Sequence, residues 1–219
     1  MYPRIVIDDE FQGYSADCIR LPLKYKNYIE GILVSNGLIK DRLEQMASDI
    51  IDSLERRGSS AVTLICILKG GFKFASDLTE KMESVAFFRR KNISIYIDFI
   101  VANTYVNDDV GHETHLRVCS DPEKFRHKDL IVVEDLIDTG TTMYKLVSYL
   151  KSLEPRSVEV ASLLVKRRPD CNAYVPDYVG FEVPNRFIVG YAIDYNDQFR
   201  ELPHVCVVND EGKRRFKLP

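Results

Sequence analysis

Asn36 to Gly58 reads NGLIKDRLEQMASDIIDSLERRG, and its apolar residues recur at helical spacing. Ile39, Leu43, Met46, Ala47, Ile50 and Leu54 fall on one face, with Gly58 as a stop, which predicts an amphipathic helix. AVTLICILKGG (Ala61–Gly71) is a short apolar run ending in glycines, the pattern of a strand buried on both faces. Phe72 to Val85 reads as a helix, and ISIYIDFIVA (Ile93–Ala102), rich in isoleucine and aromatics, as a strand. A further strand, DLIVVEDLID (Asp129–Asp138), precedes a helix that carries Met143, Leu146, Val147 and Leu150. SVEVASLLVKR, DYVGFEVP, FIVGYAIDY and HVCVVND complete the strands. Strands alternate with helices through the middle of the chain, so the predicted fold is α/β, a mostly parallel sheet with helices on both faces. The closing strands lack helices and are expected to form an antiparallel edge or a small flap. Residues 1–36 show no strong period. Nor do residues 103–128, a polar stretch with Gly111 and Pro122 that predicts a long loop of the kind that often serves as a lid.

A length of 219 residues and 45% hydrophobic content suit one domain with a real core. A net charge of −3 supplies no basic field for nucleic acid. No apolar run reaches a membrane span, and MYPRIVIDDEF lacks the basic-then-apolar order of a signal peptide. Cys18, Cys66, Cys119, Cys171 and Cys206 are scattered, odd in number and without a C-x-x-C, so they read as reduced thiols of a cytoplasmic protein.

The chemistry concentrates in VVEDLIDTGTTM, Val132 to Met143. Glu134, Asp135 and Asp138 sit where a buried strand ends, and ligands bind beyond such ends in open parallel sheets. Thr139, Gly140, Thr141 and Thr142 open the next helix, whose first N–H groups have no internal partner and carry the positive end of the dipole. That end suits a phosphate, and Gly140 lets it approach the backbone. No G-x-x-x-x-G-K-[ST] is present, so this is not a Walker loop. Carboxylates accept hydrogen bonds and sugar hydroxyls donate them. A phosphorylated sugar satisfies both halves, its phosphate on the loop and its diol on Glu134 and Asp135. The plain alternative is a helix N-cap cluster, since Asp and Thr cap well. Lys69, Gly70 and Gly71, at another strand end, offer a charge and open backbone for a second phosphate group, or else a solvated turn. GHETH (Gly111–His115) is H-E-x-H, without the H-E-x-x-H spacing of a zinc site.

The stretch resembles the binding motif of the type I phosphoribosyltransferases, in which apolar residues, two acids, two apolar residues and Asp-Thr-Gly-x-Thr follow in order. The resemblance covers nearly the whole chain, through NGLIKDR, LKGGFKFASDL, DFI, VEDLIDTG, ASLLVKR, PDYVGFEVPNRFIVGYAIDYND and HVCVVN. It implies a phosphoribosyltransferase core over about residues 38–180, a hood from residues 1–37 and 181–219, and a lid over about 103–128. It also implies transfer of the 5-phosphoribosyl group of phosphoribosyl pyrophosphate to a 6-oxopurine, hypoxanthine or guanine, with Mg²⁺ required. The products are IMP or GMP and pyrophosphate, a purine salvage reaction, and the assembly is a homodimer or homotetramer. Asp138 becomes the general base. Glu134, Asp135, Leu136, Ile137, Thr139, Gly140, Thr141 and Thr142 hold the ribose phosphate, and Lys69, Gly70 and Arg200 the pyrophosphate. Thr104 and Tyr105 belong to the lid. Lys166 donates to the purine 6-oxo group, Phe187 stacks on the base, and the Ile188 carbonyl accepts the guanine amino group. Asp194 holds the Mg²⁺. In the family, the bond matching Lys69–Gly70 can be cis. The chain departs from the family where Val101, Asn103, Thr141 and Asp170 stand at or near positions that are often basic. Those losses of positive charge keep a rival open, a nucleotide-binding regulator with a decayed active site.

Overall fold

The computed structural model describes residues 2–105, 113–119, 121–168 and 174–218. Its strands are β1 (Ile5–Val6), β2 (Ile29–Val34), β3 (Ala61–Leu68), β4 (Ser94–Tyr105), β5 (Glu113–Val118), β6 (Asp129–Ile137), β7 (Ser157–Arg167), β8 (Tyr178–Pro184), β9 (Ile188–Val189) and β10 (Val205–Val208). The helices are α1 (Leu23–Lys26), α2 (Asn36–Arg56), α3 (Phe72–Phe88), α4 (Thr141–Ser152) and α5 (Asp210–Arg215).

Seven strands form one sheet in the order β1-β8-β7-β6-β3-β4-β5. All pairings in it are parallel except that of β5 with β4. The predicted α/β class is therefore the observed one. The central strands are buried on both faces, and their alternation is internal to the core. Leu64, Cys66, Ile131 and Val133 pack toward α2 and α3, with Leu43, Met46, Leu78 and Met82. Ile65, Ile67 and Val132 face the other way and meet Leu146 and Leu150 of α4. Ser35 starts α2 by accepting the Leu38 N–H at 3.3 Å, and Gly58, at φ +65°, follows its end.

A second sheet, β2-β10-β9, is antiparallel and draws on both ends of the chain. Its small core contains Tyr25, Ile32, Phe199, Leu202 and Cys206. β2 gives no period in the sequence because most of its residues are buried, and Gly31 sits hard against the Gln12 backbone. β1 runs parallel to β8 at the edge of the large sheet, so the first residues do not all belong to the smaller unit.

Two elements differ from the sequence expectation. The run FIVGYAIDY is a strand only at Ile188–Val189. Gly190, Tyr191 and Ala192 then adopt positive φ and turn the chain. Tyr191 is buried there, and its hydroxyl donates to Asp77 at 2.6 Å. Residues 103–128 are also only partly loop. β4 continues to Tyr105 and pairs with β5 through Thr104–Thr114 and Tyr105–Glu113. A 3₁₀ turn at Pro122–Phe125 then inserts Phe125 into the core, which anchors the end of the segment.

Candidate active site

The strand order reverses between β3 and β6. β3 continues outward to β4, and β6 continues the opposite way to β7. In such sheets a crevice opens beyond the carboxyl ends of the two strands at the reversal. A cavity of about 270 Å³ lies there, and Leu68, Gly70, Glu134, Asp138, Thr139 and Thr142 are among its walls.

Gly70 follows β3 and faces the acids of β6. A Cβ at this position would collide with Asp135 Oδ2 and lie 2.8 Å from its Cγ, so the close approach requires glycine. The non-proline cis peptide is Leu68–Lys69, one bond before the Lys69–Gly70 bond expected from the family pattern. Glu134 and Asp135 stand side by side. Burial, and then the charge of Asp135, push the Glu134 carboxyl well above the usual range. Asp135 Oδ1 accepts the Leu136 N–H at 2.9 Å. Cys66 lies beneath them, its thiol pushed up to about 12 by burial and then by the two acids. Such a thiol is no nucleophile.

Gly140 caps α4 at φ +80°, and α4 begins at Thr141, where the sequence places the anion-binding helix start. The Thr139 and Thr141 hydroxyls lie 3.3 Å apart across this turn. Tyr174 closes it from outside. A Cβ on Gly140 would lie 2.5 Å from the Tyr174 N and 2.9 Å from its Cβ.

Asp138 is the most heavily paired acid of the group. Lys166 Nζ donates to Oδ2 at 3.1 Å, and Arg168 Nη1 donates to Oδ1 at 2.8 Å. Burial alone would raise its pKa. The two hydrogen bonds and the two charges outweigh that, so the carboxyl sits below its ordinary value and is ionised at neutral pH. Arg168 was missed in the sequence, although the period-2 rule identifies it. Lys166 and Arg168 are two apart and share a side, while Arg167 points across to Glu182, Asp9 and the Ile7 carbonyl.

A second cluster links the β3 end to the loop after β9. Arg200 Nη2 lies 2.8 Å from Asp194 Oδ1 and 3.2 Å from Asp197 Oδ1, and Lys69 Nζ donates to the same Asp197 oxygen at 3.2 Å. Arg200 is thus held by Asp194 and Asp197, while Glu201 pairs with Lys24. Phe187 is half-exposed and meets Tyr195 edge-on at 5.0 Å, one residue from Asp194. Ile188 is buried in β9, opposite Val207. The side chains of Asn103, Thr104 and Tyr105, those of GHETH, and all of Asp170 lie outside the described residues. No group of three or more His, Cys, Asp or Glu residues arranged to hold a metal occurs among the described residues.

Residues 31–196 match the phosphoribosyl transferase domain family. A hypoxanthine-guanine phosphoribosyltransferase of Schistosoma mansoni is 47% identical over 98% of this chain and 75% of its own. The human enzyme of that name is 40% identical over 98% and 97%. Phosphoribosyltransferase domain-containing protein 1 of Xenopus tropicalis is 42% identical over 98% and 94%. The crystal structure of the Schistosoma mansoni hypoxanthine-guanine phosphoribosyltransferase in complex with IMP superposes with a TM-score of 0.85 at 42% identity, covering 99% of this chain and all of that one. The central parallel strands β3, β4, β6, β7 and β8, the strand-end acids and the threonine turn all lie within the matched span, and the chain belongs to the phosphoribosyltransferase family, in the group that holds the hypoxanthine-guanine phosphoribosyltransferases and their domain-containing relatives.

Proposed function

We propose that the chain transfers the 5-phosphoribosyl group of phosphoribosyl pyrophosphate to hypoxanthine or guanine, giving IMP or GMP and pyrophosphate. The observation that carries this reading is an ionised Asp138 held between the acid pair and the threonine turn, with Lys166 on one of its oxygens. The 5-phosphate sits on the N-terminus of α4, on Thr139, Gly140, Thr141 and Thr142. The ribose diol donates to Glu134 and Asp135, and Leu136 and Ile137 wall the cavity between them. The ribose carbon C1′ then lies toward Asp138.

Transfer forms the N9–C1′ bond and breaks the C1′–O bond, and pyrophosphate leaves with that electron pair. The purine loses its N7 proton, and Asp138 is the acceptor. Lys166 can only donate, so it favours a 6-oxo group over the 6-amino group of adenine. Phe187, half-exposed at its strand start, stacks on the purine, and the Ile188 carbonyl accepts the 2-amino group of guanine. Lys69, Gly70 and Arg200 receive the pyrophosphate.

Asp194 suits a hard cation. It is a partly exposed carboxylate that shares Arg200 with Asp197, and Mg²⁺ commonly takes one or two protein carboxylates while keeping waters and phosphate oxygens. Bound there, Mg²⁺ would neutralise pyrophosphate oxygens as charge builds on the leaving group. The smaller sheet serves as a hood over the base, and the β4–β5 hairpin with Thr104 and Tyr105 serves as the lid that excludes water. Phe72 and Ile97 line an exposed depression between α3 and β4, a surface that suits a second copy of the chain in a homodimer or homotetramer. Among the described residues no helix is long and apolar enough to cross a membrane. With Cys18, Cys66, Cys119 and Cys206 all unpaired, we place the chain in the cytoplasm.

Pyrophosphate release with hypoxanthine, guanine, xanthine and adenine tests the reading. Turnover with the first two, lost by about 10²–10⁴-fold in Asp138→Asn, is expected. IMP binding without turnover by the unmodified chain would replace it with a nucleotide-binding regulator.

A further inference from the structure

Lys166 and Arg168 leave the end of β7 on the same side and take one oxygen each of Asp138. The two cations are not equivalent. Lysine is a point charge on a flexible stem, whereas the guanidinium is a planar fork that stays protonated throughout. The reaction asks Lys166 to change partner, from Asp138 Oδ2 to the purine 6-oxo group. The torsion that turns an aspartate carboxylate is broad and weakly two-fold. A carboxylate that loses an anchor on one oxygen therefore turns unless the other oxygen is held.

We propose that Arg168 is a positioning residue, which fixes Oδ1 of Asp138 so that Oδ2 is left facing the purine when Lys166 departs. The proposal rests on the base role of Asp138 given above. The N7–H bond breaks, its proton goes to Oδ2, and its electron pair stays in the ring as N9 bonds to C1′. Arg168 gives up no proton at any point. It also supplies positive charge to a site whose Val101, Asn103 and Thr141 supply none. Among the described residues, the charged groups bearing on Asp138 are Lys166, at the end of β7, and Arg168, just beyond it, and the turn into α4 presents threonines. Once Lys166 is engaged by substrate, Arg168 stays on Oδ1 and favours the ionised form of Asp138.

The test compares Arg168→Ala, Arg168→Lys and Asp138→Asn in the full chain, with circular dichroism and thermal unfolding to establish that each is folded. In Arg168→Ala, kcat with hypoxanthine falls by on the order of tenfold, the loss of one charge-assisted hydrogen bond. The KM for phosphoribosyl pyrophosphate is unchanged, and the acid limb of the kcat profile moves to higher pH. Arg168→Lys keeps the charge and loses the fork, so it restores the acid limb but only part of kcat. Should the alanine variant not fold, a reduced kcat with an unmoved acid limb in the lysine variant carries the proposal. Unchanged kcat and acid limb in Arg168→Ala would overturn it. So would a raised KM for phosphoribosyl pyrophosphate at constant kcat, which marks a phosphate ligand instead. If Asp138→Asn is slow and Arg168→Ala is not, the positioning role falls and the base role stands. Normal turnover in Asp138→Asn removes both.

Discussion

Gly70→Ala separates stability from function at the strand-end crevice. The added Cβ collides with Asp135 Oδ2, the movable end of a side chain, and Gly70 is not among the positive-φ glycines, so its own backbone tolerates alanine. Asp135 must rotate. Its Oδ1 then gives up the Leu136 N–H, now at 2.9 Å. A hydrogen bond of this kind contributes about 0.5–1.5 kcal/mol. At about 2–4 °C per kcal/mol for a chain of this length, the melting temperature falls by roughly 1–6 °C. The functional loss is read separately. Losing the Asp135 contact to the ribose diol forfeits a hydrogen bond of the same size, which lowers kcat/KM for phosphoribosyl pyrophosphate by roughly 2–10-fold. Differential scanning fluorimetry of the ligand-free protein and steady-state kinetics with each substrate varied give both numbers. The double variant Gly70→Ala, Asp135→Ala also lacks that hydrogen bond, so its melting temperature and its kcat/KM both stay near those of Gly70→Ala, the non-additivity expected of two residues in contact. A Gly70→Ala enzyme with ordinary kcat/KM would show that Asp135 does not hold the ribose. A collapse in stability far beyond the hydrogen bond would show that Gly70 is held by backbone rather than by Asp135.

Gly140→Ala acts through the fold as well as the site. It forces a Cβ into the left-handed region, at about 1–2 kcal/mol, and against the Tyr174 backbone, so its melting temperature drops more than that of Gly70→Ala; an equal or smaller drop would refute the distinction. Glu134→Gln works in the opposite sense. The folded state raises the Glu134 pKa, so this group's contribution to stability declines as pH rises above the unfolded value of about 4.3. The glutamine variant should melt higher than the unmodified chain at neutral pH while losing kcat/KM, and a lower melting temperature would contradict the assignment. His204 gives a third signature. Burial lowers its pKa, the Arg20 backbone pushes weakly the other way, and Nδ1 accepts the Asn36 N–H at 2.9 Å, which requires that nitrogen to be unprotonated. Its contribution is complete above the unfolded pKa of about 6.5 and declines as pH falls toward the lower folded value, so His204→Gln should flatten the melting-temperature profile across that window.

The parallel core was legible because its periods are clean. α2 carries six apolar residues at helical spacing, and β3 and β6 are short apolar runs that end in glycine or acid. The acid pair, Asp138 and the threonine turn were legible for a related reason, since they are contiguous and one strand end delivers them all. What escaped were features set by distant segments. β2 hides its period because the Gln12 loop packs on Gly31 and most of the strand is buried. The turn at Gly190–Ala192 is written in an apolar run, and only the burial of Tyr191 against α3, with its bond to Asp77, reveals why the chain turns there. Arg168 was overlooked for lack of any local signal beyond strand alternation. Its role depends on Asp138, which lies 30 residues earlier in the chain.

The missing basic residues now have a different weight. Read along the sequence, Val101, Asn103 and Thr141 leave a polyanion site short of charge. Among the described residues, Lys69, Lys166, Arg168 and Arg200 lie beside the strand-end site, and an acid already engages each of them: Asp197, Asp138, Asp138 again, and Asp194 with Asp197. Substrate binding under the proposed function therefore exchanges partners. Pyrophosphate takes Lys69 and Arg200 from Asp197, and the purine takes Lys166 from Asp138. Exchange holds the side chains in place beforehand, which lowers the entropy of ordering them. It also means that each new charge contact replaces an old one, so the net gain is smaller than a count of cations suggests. An added lysine at position 141 would bring charge that no existing carboxylate in the turn was placed to hold, since its neighbours there are Thr139, Gly140 and Thr142. Thr141→Lys should accordingly lower the KM for phosphoribosyl pyrophosphate more than it raises kcat, with a gain that shrinks as salt screens it. An unchanged KM would mean that position 141 does not face the phosphate, and would move the anion site off the α4 terminus.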